Sequence, residues 1–495
     1  MTTSSRPPVA REAHNSELHG TLGVAAILFM VLAAAAPLGV VAGAVPVGVL
    51  LGNGAGLPGL FVIAAAVLLL FAVGFSAMAT KIPRPGAFFS FIGVGLGRPA
   101  GVGAAWLAML TYTSIQLALY AYMGAILSAT VQALGGPTLH WALYSVLVLL
   151  VIAILGYRNV SLSARVLSIL LVLEVVIVLV VVGAIVVQGG AEGLSLEPFR
   201  PDVVLSGAPG VGLIFVVGAF IGFEATAIFR SEARDPQRTI PRATYLAVVG
   251  VGVFYGLASW GLIMGWGPSQ LFDVIAANLD NIFVVTTEQY VGIAWAIVAN
   301  VLLITSFFAS ILAFHNIISR YQHSMANAGL LPSKLANVHG RHASPHLSSL
   351  VQTATALVLI AVFALTGLEP ILQAYSWFAG VATLSVVLLM AATSIAVISF
   401  FARNKRDRRP WNTVIAPALG GLGLFVFIVA LVANFPVLVA DSDAEGNPIF
   451  GAVSLSLFAL IVVFAVLGVV QALILRKRNP QAYANVIQMI AETPE

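Results

Sequence analysis

The feature that most constrains this chain is a succession of apolar runs that recur from near its start almost to its end. Several runs are long enough, at about 1.5 Å of helical rise per residue, to cross a hydrocarbon core about 30 Å thick. Lipid offers no partner for a bare backbone amide or carbonyl, so such segments must be helical. Only 8% of the residues are charged, whereas soluble domains carry about 25%. The sequence therefore predicts an all-α integral membrane protein.

The apolar runs predict about twelve transmembrane helices, each long enough to span the bilayer. The first six are expected near residues 22–51, 57–80, 100–130, 140–156, 163–188 and 209–230. The second six are expected near residues 244–266, 290–319, 347–366, 371–400, 413–435 and 451–475. Residues 1–20 are polar, and the apolar run that follows is too long for a signal-peptide core, so no cleaved leader is expected.

The basic residues indicate the orientation of these spans, since short cytoplasmic loops collect Lys and Arg. If both termini are cytoplasmic, all of the 23 Lys and Arg residues except Arg200 lie on the inner side. Residues 189–208, 267–289 and 436–450 are then outside, and they are rich in acidic residues. The net charge of +4 thus reflects topology in a plasma membrane, and no nucleic-acid partner is expected.

Two predicted spans contain interruptions of the helical pattern. The first span has Pro37 within the stretch 35–39, and the sixth has two glycines within 218–225. Interrupted helices at corresponding positions of two halves are typical of inverted-repeat transporters with a site near the midplane. At such a break, free amides can bind a carboxylate and free carbonyls a cation. The alternative is ordinary kinking, because proline and glycine are common in membrane helices.

Two acidic residues fall inside the predicted spans, Glu174 in the fifth and Glu224 in the sixth. An ionisable group within a membrane span is costly to insert and is a functional candidate by default. Both are therefore candidate proton-coupling groups. For Glu174 the alternative is a protonated acid that forms a hydrogen bond between helices. The absence of cysteine excludes disulfides and thiolate metal sites, and no cofactor or metal is expected.

Three stretches resemble the amino acid–polyamine–organocation (APC) superfamily of permeases. The sixth-span motif Phe220-Ile221-Gly222-Phe223-Glu224 and the loop 232–243 resemble the corresponding segment of that family. Residues 319–332 with Pro345 resemble the loop after its eighth span, and residues 83–97 the loop after its second. The resemblance extends over spans one to ten, and the last two spans match by hydropathy.

The resemblance implies a five-plus-five inverted-repeat core in residues 21–400, with peripheral spans in 401–475 and a cytoplasmic tail in 476–495. It also implies a substrate held between the broken first and sixth helices, with Phe220 as a gate over it. Carried over by position, the substrate-binding residues are Ala35, Ala36, Pro37, Leu38, Gly39, Phe220, Ile221 and Gly222. The family's Gly-Ser-Gly signature is absent from the first span, and Glu174 lies where many members have a lysine.

Further candidates lie on other spans. Tyr112 and Gln116 are four residues apart in the third span, so they share a helix face that could line a pathway. Trp377 in the tenth span could bound the site. The alternative for all three is packing between helices.

We therefore expect a permease that moves amino acids or related amines by alternating access, coupled to protons, with a cationic substrate as one compatible class. An uncoupled exchanger is the alternative within transport. A membrane enzyme is the alternative from another class, but the sequence contains no catalytic constellation such as HExxH.

Overall fold

The computed structural model describes residues 22–34, 36–82, 88–158, 164–231, 233–340, 344–404 and 409–491. Within these ranges the chain is helical apart from turns and two isolated β-bridges. The prediction of an all-α membrane protein is confirmed. The predicted N-terminal tail, residues 1–20, lies outside the described residues.

The first half of the chain contains the two broken spans and the spans between them. The helices are α1 (Val24–Ala34), α2 (residues 37–53), α3 (Leu57–Ala79), α4 (Phe88–Leu96), α5 (Arg98–Ala133), α6 (Trp141–Tyr157), α7 (Ala164–Gln188) and α8 (Pro209–Gly218). A 3₁₀ segment, Phe223–Ser231, continues the sixth span after its break. Within α2 two π-helical turns, Val40–Ala44 and Val49–Asn53, alternate with α-helical turns.

The second half contains longer helices. They are α9 (Pro236–Ala277), α10 (Ile282–Tyr290), α11 (Ile293–Asn327), α12 (His346–Leu365), α13 (Pro370–Arg403), α14 (Trp411–Val439), α15 (Ala452–Arg478) and α16 (Pro480–Ala491). Helix α9 is kinked at Gly267, whose φ of 71° is outside the helical range, just before Pro268.

Ten helical stretches in the described ranges are long and apolar enough to cross a membrane. One of them, Pro37–Ala79, contains half of the first predicted span and all but the last residue of the second. The fourth predicted span is the shorter apolar helix α6, with 17 residues. With these two observations, every predicted span corresponds to one helix or to two helical segments, and most of their ends lie within a few residues of the predicted bounds.

The structure contains helices in two segments that the sequence analysis predicts only as an outer loop and a tail. The predicted outer loop 267–289 contains the end of α9 and most of α10. The predicted C-terminal tail contains α16, which packs against α4, α5, α11 and α15. Helices α10 and α16 are too short or too polar to be identified as spans, which is why a hydropathy criterion misses them.

The halves of the two broken spans are joined in pairs. At one end, the N–H of Ala208 donates to the carbonyl of Gly52 over 3.0 Å, which joins α2 to the segment leading into α8. At the other end, the N–H of Arg234 donates to the carbonyl of Leu22 over 3.0 Å, which joins the start of α1 to the end of the sixth span. The two breaks lie between these two hydrogen bonds.

Candidate functional site

The break in the first span exposes the amino end of α2. Ala36 adopts a left-handed conformation with φ 46°, and α2 then begins at Pro37, which has no N–H. The next amide, of Leu38, donates a 3.0 Å hydrogen bond to Oε2 of Glu174 on α7. The hydroxyl of Ser306 on α11 donates to the same oxygen over 2.9 Å. A carboxyl group from another span therefore caps this half-helix.

At the break in the sixth span a carboxyl group also accepts a backbone N–H, but this carboxyl group belongs to the same segment. Helix α8 ends at Gly218, and Gly222 has a φ of 115°, a conformation that only glycine adopts readily. The N–H of Gly222 donates a 2.8 Å hydrogen bond to Oε2 of Glu224. Tyr112 on α5 also lies next to the Glu224 carboxyl group. Glu224 thus connects the second break to the third span.

A cavity of about 70 Å³ lies between the two breaks. At about 10–15 Å³ per water it holds roughly five waters, the size of a small solute. Four aromatic rings line it, with aliphatic side chains and the hydroxyl groups of Ser310, Thr383 and Tyr375, and none of the described lining residues is charged. The lining residues are Ala36, Gly39, Val40, Ala44, Ile115, Leu119, Ile214, Phe215, Gly218, Ala219, Ile221, Phe307, Ser310, Phe314, Tyr375, Ala379 and Thr383.

The structure brings only some of the predicted substrate residues to this cavity. Ala36, Gly39 and Ile221 line it. Pro37 and Leu38 are buried behind it, and Gly222 forms the turn of the sixth-span break. Ala35 lies outside the described residues.

Phe220 does not line the cavity in this conformation. Its side chain is 1% exposed, and its ring centroid lies 6.4 Å from that of Phe61 on α3. The gate predicted for this ring is therefore not formed here. The turn that follows α8 directs Phe220 toward α3 and α9, a direction that depends on the non-helical geometry of the break.

The three candidates on other spans also lie outside the lining. Tyr112 packs against the lining residue Phe314 at 6.2 Å between ring centroids and reaches Glu224. Gln116 is fully buried, donates to the carbonyl of Ile311, and accepts from Gln352. Trp377 packs against the hydrophobic core.

Sequence reasoning missed most of the lining side chains, among them Phe215, Phe307, Tyr375 and Thr383. Each is a single aromatic or hydroxyl residue in an apolar span, and nothing in such a span distinguishes a lining residue from a packing one. The phenol ring of Tyr122 stacks on Phe307 at 5.1 Å between centroids and lies 4.9 Å from the ring of Tyr375. These three rings close one end of the cavity.

An acidic environment lies beyond that aromatic closure. The Tyr122 hydroxyl is within hydrogen-bonding distance of the carbonyls of Ala42 and Leu279, at 2.8 and 2.7 Å. Asp280 follows in the loop between α9 and α10, and its burial together with the nearby Glu369 carboxylate raises its pKa. No group of three or more metal-ligating side chains occurs within the described part of the chain.

Comparison with known proteins gives consistent matches over most of the chain. A family model described as "Amino acid permease" matches residues 22–467. The branched-chain amino acid permease BcaP of Lactococcus lactis is 26% identical, over 76% of this chain and 82% of that protein. The low-affinity putrescine importer PlaP of Escherichia coli is 23% identical, over 70% of this chain and 75% of that protein.

A solved structure has a similar fold. It is the crystal structure of the Eremococcus coleocola manganese transporter in complex with an aromatic bis-isothiourea substituted compound. The TM-score is 0.50 at 14% sequence identity, with 94% of this chain and 100% of that chain covered. At that identity the comparison concerns the fold alone.

Proposed function

Because this chain belongs to the amino acid permease family, a family of transporters rather than enzymes, we propose that it is a secondary active transporter of amino acids or related amines. The observation that carries the proposal is the meeting of two helix breaks at one small cavity. Such breaks provide backbone groups that bind a substrate without a dedicated charged side chain. The chain is a multi-pass membrane protein, and we place it in a bacterial plasma membrane with cytoplasmic termini.

The lining favours a substrate with an apolar body. Phe215, Phe307, Phe314 and Tyr375 contribute aromatic faces, and Ile115 and Leu119 an aliphatic wall. Branched-chain amino acids and putrescine, the substrates in the names of two relatives, both combine amino groups with hydrocarbon. A substrate ammonium fits the carboxyl end of α8, where helix carbonyls carry partial negative charge.

Proton coupling is assigned to Glu224 and Glu174. Each carboxyl group accepts the N–H of a residue at a break, Gly222 and Leu38 respectively. Protonation of a carboxylate weakens the hydrogen bonds that it accepts, because charge-assisted bonds are stronger than neutral ones. A proton at either group therefore changes the local stability of a helix break. Coupling requires such a dependence of the backbone on protonation.

The deciding experiment is uptake by the purified protein in liposomes, with and without an inward proton gradient. Labelled leucine and labelled putrescine are the two probes. We expect accumulation of at least one of them that increases several-fold with the gradient. Gradient-independent exchange of internal for external substrate would favour the uncoupled exchanger. Absence of both uptake and exchange for all amino acids and amines screened would contradict the proposed function.

A further inference from the structure

We propose that the site selects a monoamine with an apolar body over the amino acid that has the same carbon skeleton. This inference rests on the proposed function and specifies its substrate class. It follows from the supply of hydrogen-bond donors and acceptors at the two breaks, because a carboxylate needs donors and an ammonium needs acceptors.

The amino end of α2 is short of donors. A substrate carboxylate would bind the free N–H groups at such a helix start. Here Pro37 has none, and the N–H of Leu38 is held by Glu174. Of residues 37–39, only Gly39 retains an amide without a described partner, and Gly39 lines the cavity.

The lining side chains supply only hydroxyl groups as donors in place of the missing amides. None of the described lining residues is Lys, Arg or His, so a carboxylate would have no cationic partner. Of the three lining hydroxyl groups, that of Thr383 already donates its proton to the carbonyl of Ile214 over 2.9 Å. A buried carboxylate without sufficient hydrogen bonds carries a large desolvation cost.

Two kinds of group that attract an ammonium lie on the opposite side, the carboxyl end of α8 and aromatic faces. Helix α8 ends at Gly218, a lining residue, so the partially negative carboxyl end of that helix is at the cavity. In a continuous α-helix the N–H of Phe220 would donate to the carbonyl of Val216. Here it donates instead to the carbonyl of Val217. Four aromatic rings surround the space, and an ammonium is attracted to such faces. The cavity is therefore suited to one ammonium and a hydrocarbon body.

Leucine and 3-methylbutylamine test this inference, because they differ only in the carboxylate. Titration calorimetry of the full-length protein in detergent measures both dissociation constants. We expect 3-methylbutylamine to bind at least about tenfold more tightly than leucine. That factor corresponds to about 1.4 kcal/mol, close to one hydrogen bond to a charged group. Equal binding, or tighter binding of leucine, would overturn the inference.

Two substitutions test the cause. Glu174→Ala frees the Leu38 amide, and Pro37→Ala adds a backbone N–H, so each should shift the affinity ratio toward leucine by roughly tenfold. Glu174→Gln retains an oxygen acceptor and should keep the ratio near that of the natural chain, whatever it does to transport. If neither alanine variant shifts the ratio, the shortage of free amides at the start of α2 does not explain the preference. Since the two alanine variants alter different helices, the second provides the test if the first does not fold.

The failure of this inference differs from the failure of the proposed function. Tighter binding and transport of leucine would contradict only the monoamine preference and would be consistent with the proposed transport function. Absence of binding and of uptake for both compounds, and for the wider set of amino acids and amines, would remove both.

Discussion

Glu224 accepts a hydrogen bond from the Gly222 amide and lies next to Tyr112 on the third span. We expect Glu224→Gln to abolish the acceleration of uptake by an inward proton gradient, because glutamine cannot ionise. Exchange of internal for external substrate should persist, since exchange does not require an empty carrier to return. Uptake and exchange assays on the same liposomes measure both quantities.

The matched variant is Glu174→Gln, at the other break. If this variant loses the response to the gradient while Glu224→Gln keeps it, coupling belongs to the fifth span. If both variants keep the response, neither carboxyl group couples, and each is a structural hydrogen-bond acceptor at its break.

Phe220 contributes to packing in this conformation, so its truncation should affect stability more than binding. Removing its buried ring leaves a cavity beside Phe61 and should cost about 3–5 kcal/mol. We expect Phe220→Ala to lower the melting temperature in detergent while substrate affinity stays within a few-fold of the natural value. Phe314→Ala, at a lining residue, should show the opposite pattern. A large loss of affinity without destabilisation in Phe220→Ala would instead support a gate.

At the scale of helices, the halves α2 and α8 of the broken spans meet with little room for side chains. A Cβ at Gly212 on α8 would lie 2.7 Å from Oδ1 of Asn53 at the end of α2. Asn53 is 1% exposed and donates a 2.9 Å hydrogen bond to the carbonyl of Val204. The close approach of α2 and α8 therefore depends on the absence of a side chain at residue 212.

We expect Gly212→Ala to lower the free energy of unfolding by about 1–3 kcal/mol, the usual cost of overpacking. Uptake should fall as well, because the two half-helices that bound the cavity are forced apart. Gly250→Ala is the control, since no atom lies within 4 Å of its Cβ position in α9. That control should be neutral or stabilising by up to about 1 kcal/mol. Equal melting temperatures for the two variants would contradict the close-packing account.

Hydropathy predicts the helices of this chain well because each span must satisfy its own backbone within lipid. The breaks at Pro37 and Gly222 are also predictable, since proline and glycine change the backbone locally. Partners such as Leu38 with Glu174, or Gln116 with Gln352, are 136 and 236 residues apart. They depend on how spans are arranged, which an apolar pattern does not encode. For the same reason the direction of Phe220 was not predictable.

At the scale of the whole molecule, the distribution of basic residues predicts which loops face outward. The cysteine-free chain permits single exposed cysteines at Ser442, between α14 and α15, and at Ser333, between α11 and α12. We expect a membrane-impermeant thiol reagent to label Ser442→Cys but not Ser333→Cys in intact cells. Both should react after permeabilisation. The reverse pattern in intact cells would invert the proposed topology.

The capping of both breaks by glutamate has a consequence in terms of thermodynamic linkage. If a ligand alters the amide that a carboxyl group holds, it alters the affinity of that group for a proton, and the proton alters ligand affinity by the same factor. The protein would then exchange protons with its solvent on binding, even in detergent where no gradient exists. Titration with ligand in a weakly buffered solution should therefore produce a small pH change, and its loss in Glu224→Gln or Glu174→Gln would identify the linked hinge.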